Sequence, residues 1–77
     1  MHERIFKSRM FKAEAMQGIG EKPDYWAGYQ RGLRRLYHGE KFGTDEEHDL
    51  WMNLADDVDE GRADRGRGYT DGFLNKG

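Results

Sequence analysis

Residues 44–60, TDEEHDLWMNLADDVDE, form the most clearly patterned stretch of this 77-residue chain. Thr44 followed three residues later by Glu47 matches a capping box, in which each side chain satisfies a free backbone N–H at the start of a helix. The acidic residues after Thr44 also suit the positive end of the helix dipole. At about 100° per residue the apolar side chains share one face. They are Leu50, Trp51, Leu54, Ala55 and Val58. The stretch therefore predicts an amphipathic helix over residues 44–60.

The opposite face of this predicted helix is acidic. Its carboxylates are Asp45, Glu46, Asp49, Asp56, Asp57, Asp59 and Glu60. Such a row can imitate a line of phosphates and occupy a Lys/Arg-rich groove on another protein, with fast and salt-sensitive association. The alternative is a solvated helix face. A calcium site is disfavoured because no D-x-D-x-D-G loop is present to wrap an ion. The main prediction is a protein partner with a basic surface.

A second helix is predicted over residues 23–38, before a glycine-bounded connection at residues 39–43. Pro23 suits the first helical turn, and the aromatic and leucine side chains share one face. Gly28 and Gly32 are four residues apart, which favours close approach of a neighbouring backbone or ring. The GY-x-x-G pattern recurs at residues 68–72, forty residues later. We interpret this as one local packing device used twice.

The predicted fold class is all-α, with one small domain. Residues 23–60 are expected to form an antiparallel αα-hairpin, because a five-residue connection places two helices side by side. Residues 1–20 are predicted to be a basic helix or arm, with Phe6, Met10 and Ala13 on one face. Residues 61–77 are predicted to be a loop with a single short helical turn. The predicted core consists of Tyr25, Trp26, Tyr29, Leu33, Leu36, Phe42, Leu50, Trp51, Leu54 and Val58, closed by Tyr69 and Phe73.

Composition limits the kind of protein this can be. Charged residues make up 36% and hydrophobic residues 35% of the chain, so the core is small. A homodimer or partner-assisted folding is therefore a reasonable expectation. The absence of cysteine excludes a disulfide framework and thiolate chemistry, and favours the cytoplasm. No stretch reads as a secretory signal or as a membrane span.

Nucleic-acid binding is the alternative function. One face of the second predicted helix carries Arg31, Arg34, Arg35 and His38. Residues 1–12 add two further basic side chains, Arg4 and Lys7. Clustered basic side chains can bind a phosphate backbone. The acidic helix beside them would repel DNA, which ranks this alternative second. Self-association of the basic face with the acidic face of another copy is a third possibility.

Catalysis and metal binding are disfavoured by the motifs. The chain has no nucleophile elbow, phosphate-cradling loop or zinc-type histidine spacing. His38 and His48 flank the connection and could share a mixed metal site, but a structural role is favoured for both. We predict a non-enzymatic protein with no cofactor and no metal.

Several short segments together resemble a known class of small proteins. They are residues 25–32, Leu33-Arg34-Arg35, His38-Gly39-Glu40, Phe42-Gly43-Thr44 and Glu47-His48. In style they resemble the compact, glycine- and aromatic-rich accessory proteins of bacteriophages and other mobile elements, anti-CRISPR proteins among them. Many such proteins bind and inhibit a host enzyme or defence complex. The resemblance implies an inhibitor of a host nucleic-acid-handling complex, and it assigns no catalytic or binding residue.

Overall fold

The computed structural model describes residues 2–75, and within them all regular structure is helical, which confirms the all-α class. The four α-helices are α1 (Glu3–Gly18), α2 (Pro23–His38), α3 (Asp45–Asn53) and α4 (Glu60–Phe73). Short 3-10 turns at Gly39–Phe42 and Leu54–Asp56 follow α2 and α3. The molecule is flat, with principal extents of 35 × 31 × 16 Å.

Helices α1 and α2 form an antiparallel pair held together by large side chains. Phe6 near the start of α1 stacks on Tyr37 near the end of α2, with ring centroids 4.2 Å apart. At the other end, Gln30 Nε2 donates to Gln17 Oε1 at 2.8 Å. Met10 and Ala13 are buried between these contacts, together with Tyr29 and Leu33 of α2. The predicted face of Phe6, Met10 and Ala13 is therefore confirmed, and it is buried against α2.

Helices α2 and α4 approach each other through glycine. A Cβ atom added at Gly28 would overlap the carbonyl group of Arg65, and one added at Gly68 would overlap the carbonyl group of Tyr25. Small residues four apart allow two helix backbones to touch, so van der Waals contact replaces side-chain packing. The prediction that a backbone comes close to Gly28 is confirmed.

The two GY-x-x-G copies face each other across this seam. Gly32 meets the backbone of Tyr69, while Gly72 meets the backbone of Tyr29. In these contacting pairs the residue numbers of α2 and α4 increase together along the seam. The two helices therefore run parallel. The contacts are also reciprocal, because exchanging each residue for its equivalent forty positions away regenerates the same pairs. The repeat is thus a local pseudo-two-fold relation between two helices.

The helix predicted over residues 44–60 is shorter than expected. Asp57 Oδ1 accepts from the backbone N–H of Asp59 at 2.8 Å, and Asp59 Oδ1 accepts from that of Arg62 at 2.9 Å. Short acidic side chains that bond to the nearby backbone compete with the helix and favour turns and caps. These bonds make Asp59 the N-cap of a new helix, while α3 ends at Asn53 and is followed by the 3-10 turn Leu54–Asp56.

The predicted loop over residues 61–77 is wrong for most of its length, because α4 continues to Phe73. Its residues have no apolar periodicity because the helix is buried through glycine rather than through apolar side chains. The boundary of the predicted hairpin moves accordingly from residue 60 to Asn53. Residues 76 and 77 lie outside the described residues.

Candidate protein-interaction surface

Two arginines of α2 hold α3 in place. Arg35, whose side chain is only 9% exposed, donates to the Gly43 carbonyl oxygen and to Asp45 Oδ1, the latter at 2.8 Å. Arg31 lies over the Trp51 ring at 4.9 Å and forms an ion pair with Glu47 at 3.4 Å. Because residue 35 meets residue 45 and residue 31 meets residues further along, α3 runs antiparallel to α2. The antiparallel direction agrees with the predicted hairpin, but α3 packs mainly on α4 and is joined to α2 by these two arginine side chains.

This arrangement corrects the predicted nucleic-acid face on α2. Arg35 is buried, Arg31 keeps 39% of its side chain exposed beside a ring and a carboxylate, and Arg34 is half-buried. Phosphate binding needs guanidinium groups that reach solvent. Arg31 and Arg35 also join two helices of the same molecule, and Arg35 is too buried to face a phosphate.

Helix α3 begins as its sequence predicts. Thr44 Oγ1 accepts from the backbone N–H of Glu47 at 3.1 Å, so Thr44 is the N-cap. The inner face of α3 contacts α4, since His48 Nδ1 lies 2.8 Å from the Tyr69 hydroxyl and the Trp51 ring stacks on that of Tyr69. The outer face is left to solvent.

That outer face carries charge around an apolar side chain. Glu46, Asp49 and Asn53 are exposed, and between them Leu50 is 65% exposed. Leu50 was predicted to belong to the core, and this is wrong. The helix turns Trp51 inward, and the residue before it points away from α2 and α4.

The junction between α3 and α4 repeats this pattern. Asp56, Asp59 and Glu60 are exposed, and Val58 between them is fully exposed at 101%. The break at Asn53 moves Val58 out of the predicted core. We call the exposed residues of α3 and of this junction the acidic surface. It consists of Glu46, Asp49, Leu50, Asp56, Val58, Asp59 and Glu60.

The structure does not place all seven predicted contact carboxylates on one helix face. Glu46 and Asp49 stand on α3, whereas Asp56, Asp59 and Glu60 belong to the junction and the start of α4. Asp45 forms an ion pair with Arg35 while remaining 79% exposed, and Asp57 is half-buried in the turn. The structure therefore has one group of carboxylates on α3 and a second group at the junction with α4, instead of one row along a single helix.

Helix α1 carries mainly basic side chains on its solvent side, with Glu3 and Glu14 also exposed there. Phe11 is 75% exposed and Ile5 is also exposed, beside basic side chains. An open groove of about 430 Å³ runs along Arg4, Ile5, Ser8, Arg9 and Lys12. We call the exposed part of this face, with the residue that caps the helix, the basic surface. It consists of Arg4, Ile5, Lys7, Phe11, Lys12 and Ile19.

The comparisons with known proteins do not assign this chain to a family. Searches against protein-family models, curated proteins and solved structures find no significant match. In the part of the chain that the structure describes, no three His, Cys, Asp or Glu residues are placed to hold a metal ion. None of the helices among residues 2–75 is long and apolar enough to cross a membrane.

Two tyrosines, Tyr25 and Tyr69, have raised pKa values, and both lie in contacts between helices. Burial raises the pKa of Tyr25, and the hydrogen bond from its hydroxyl to Asp71 Oδ2 at 2.6 Å raises that pKa further. Burial also raises the pKa of Tyr69. A phenol with a raised pKa keeps its proton and acts as a donor. Tyr25 therefore fastens α2 to α4 at the end of the glycine seam.

His38 and His48 occupy aromatic surroundings. His38 lies between the rings of Phe6, Tyr37 and Phe42, with centroid distances of 5.7, 4.9 and 6.4 Å. His48 packs 4.4 Å from the Phe73 ring. Each histidine joins different helices, which agrees with the structural role that the sequence favoured.

Sequence reasoning missed the exposed apolar residues of both surfaces. Phe11 lay off the apolar faces of the first predicted helix, and that offset was the available signal. For Leu50 and Val58 the signal was misleading, because both fit the apolar stripe of a longer helix. Val58 faces solvent because α3 ends at Asn53, whereas Leu50 lies on the outer face of α3 itself.

Proposed function

We propose that this protein is a non-enzymatic binding module whose acidic surface docks on a basic surface of a partner protein. The observation that carries the proposal is the exposure of Leu50 and Val58 within exposed carboxylates. A globular protein gains nothing in its own fold from an apolar side chain left in water. Burying one leucine side chain in an interface is worth about 1.5–3 kcal/mol.

The arrangement matches the anatomy of protein interfaces. A few buried apolar or aromatic anchors supply most of the binding energy, and a polar rim excludes water and fixes orientation. Leu50 and Val58 would be the anchors. Glu46, Asp49 and Asp56 would form the rim and accept from Lys or Arg side chains.

The chemistry of the partner follows from the charge of the surface. Residues 45–60 contain eight carboxylates and no Lys or Arg. A partner that normally binds phosphate backbones presents the complementary basic groove, and carboxylates placed there would compete with nucleic acid. We therefore propose a host nucleic-acid-handling or defence protein as the partner class, with inhibition by occupation of its groove.

The test begins with tagged protein in lysate of the source cells at low and moderate salt. Each captured protein is then purified, and its affinity is measured against the natural chain, Leu50→Lys and the double variant Glu46→Lys/Asp49→Lys. We expect each variant to weaken binding more than about tenfold. Lys7→Glu, which adds negative charge on α1, is the matched control and should leave affinity within about twofold.

The proposal fails if the variants bind as tightly as the natural chain. It also fails if binding is insensitive to salt, because contacts between exposed charges are screened over about 10 Å at 0.1 M salt. Circular dichroism of each variant excludes loss of helix as the cause of weaker binding.

Nucleic-acid binding by the basic surface is the second candidate. It is favoured by the exposed ring of Phe11, which stands among Arg4, Lys7 and Lys12 on α1. Exposed aromatic rings beside basic groups can stack on unpaired bases. Labelled single-stranded DNA should then bind the natural chain, and Phe11→Ala should weaken it. A natural chain that ignores DNA eliminates this candidate.

A further inference from the structure

The exposed apolar side chains of the molecule are not scattered. Among residues 2–75, the exposed large hydrophobic residues are Ile5, Phe11, Ile19, Leu50, Val58 and Leu74. The first three belong to the basic surface, and the next two belong to the acidic surface. Five of these six therefore lie within two surfaces of opposite charge.

The basic surface on α1 and the α3 part of the acidic surface lie on different sides of α2. Helix α1 packs on the face of α2 that carries Tyr37 and Gln30, whereas α3 packs on the face that carries Arg31 and Arg35. On a helix of 3.6 residues per turn these two faces are about 130° apart. The junction part of the acidic surface lies at the start of α2, where Gly61 adjoins Asp24, so the α3 part is the one that faces away from α1.

We propose that the basic surface of one copy binds the acidic surface of a second copy, so that the protein assembles head to tail. The charges are complementary, and each surface offers apolar side chains that the other would bury. This proposal rests on the proposed function, since it takes the acidic surface to be an interface and names a further partner for it.

The placement of the surfaces decides the symmetry of the assembly. A two-fold dimer requires both contacts to form between the same two copies, and outward faces about 130° apart on one rigid molecule do not point at the same partner. A heterologous contact instead leaves one surface of each kind open and generates rings or filaments. The average mass should therefore rise with concentration rather than stop at two copies.

The small core gives self-association a stabilising role. Leu33 is the largest side chain that is fully buried among the described residues. Chains of this size bury a low fraction of their surface and gain stability by association. Covering Phe11 and Leu50 in the same contact adds apolar burial that the single copy lacks.

Sedimentation and light scattering test the proposal with two variants, Phe11→Asp/Lys12→Glu and Leu50→Lys/Asp49→Lys. The natural chain should exceed the 9.0 kDa of one copy increasingly with concentration, and less so at high salt. Each variant alone should remain a single copy, because it lacks one half of the contact. An equimolar mixture should yield a heterodimer of about twice that mass, since each variant still carries one intact surface.

Leu74→Lys provides the matched control. Leu74 is exposed but belongs to neither surface, so the variant should assemble like the natural chain. The proposal is overturned if the natural chain remains a single copy up to millimolar concentration, if either variant alone still assembles, or if the mixture does not combine. Loss of DNA binding in the Phe11→Asp/Lys12→Glu variant without any change in mass would assign the basic surface to nucleic acid and also overturn it.

The outcome separates this proposal from the preceding one. If partner capture depends on Leu50 while the natural chain remains a single copy, the proposed function stands and head-to-tail assembly is wrong. If assembly occurs and no partner depends on Leu50, the acidic surface serves this chain alone, and the proposed function is wrong.

Discussion

Helix α2 contacts α4 and α3 in two contrasting ways. Against α4 it presents glycine, and the two backbones touch with no side chain between them. Against α3 it presents Arg31 and Arg35, whose long side chains reach across to rings, carboxylates and a carbonyl oxygen. The α2–α4 contact requires residues without a side chain, whereas the α2–α3 contact is made by long, flexible side chains.

The difference predicts unequal tolerance to substitution. A backbone contact cannot adjust to an added methyl group, because both helices would have to separate along their length. An arginine contact can lose one partner and retain others. The α2–α4 seam should therefore carry most of the stability, while α3 should be the part that detaches first.

Gly68→Ala should have the largest effect. The added Cβ would overlap the carbonyl group of Tyr25, so we expect the free energy of unfolding to fall by about 3 kcal/mol or the fold to be lost. Gly18→Ala is the control, since nothing lies within 4 Å of a Cβ at that position. It should stabilise the protein by up to about 1 kcal/mol. Equal effects in urea unfolding would contradict the glycine seam.

Arg35→Met should have the next largest effect. It removes a buried guanidinium and leaves the Gly43 carbonyl oxygen without that donor, which should cost about 2 kcal/mol. Asp45→Asn changes only the exposed end of the same ion pair and should cost less than about 1 kcal/mol. Thermal unfolding of both variants ranks them, and the reverse order would show that Arg35 does not hold α3.

Tyr25→Phe should cost about 1 kcal/mol at neutral pH, because it removes the hydrogen bond to Asp71. It should also change the alkaline response. Folding raises the pKa of Tyr25, so the free energy of unfolding should be level below about pH 9 and fall as the unfolded tyrosine ionises near pH 10.

Denaturant unfolding from pH 8 to 11 measures this slope in both proteins. The slope should be smaller in Tyr25→Phe, and it should not vanish, because the pKa of Tyr69 is raised as well. Identical slopes would mean that Tyr25 ionises equally in the folded and unfolded protein.

Lys7→Ala should have the smallest effect. The Lys7–Glu3 ion pair spans 3.1 Å, but both side chains are well exposed. Pairs of this kind contribute about 0.3–0.5 kcal/mol in a helix. Thermal unfolding should shift barely above its error, and a loss comparable to that of Arg35→Met would show that α1 depends on surface charge.

The first half of the chain was largely predictable. The predicted helix at residues 23–38 matches α2, and the basic helix or arm predicted over residues 1–20 contains α1, Glu3–Gly18. Pro23, the terminal glycines and the Thr44 cap are local signals, and they act through bonds within a few residues. Tertiary context was not needed to locate them.

The second half was not predictable from hydropathy. Helix α4 lacks an apolar stripe because its buried positions Gly66, Gly68 and Gly72 contact backbone. The repeated GY-x-x-G pattern was the signal for the seam, although it could not show which two segments were helices. The site followed the same error for Val58, which reaches solvent because α3 ends at Asn53, whereas Leu50 is exposed on the outer face of α3 itself.

The two tryptophans of the chain lie in the two contrasting environments. Trp26 packs edge-on against Tyr29 within the α1–α2 core, with centroids 5.2 Å apart, whereas Trp51 lies between Arg31 and Tyr69 on α3. Indole emission responds to its immediate surroundings, so Trp26→Phe and Trp51→Phe give two single-fluorophore proteins. Each then reports optically on one region, and the order in which the molecule comes apart can be followed by light alone.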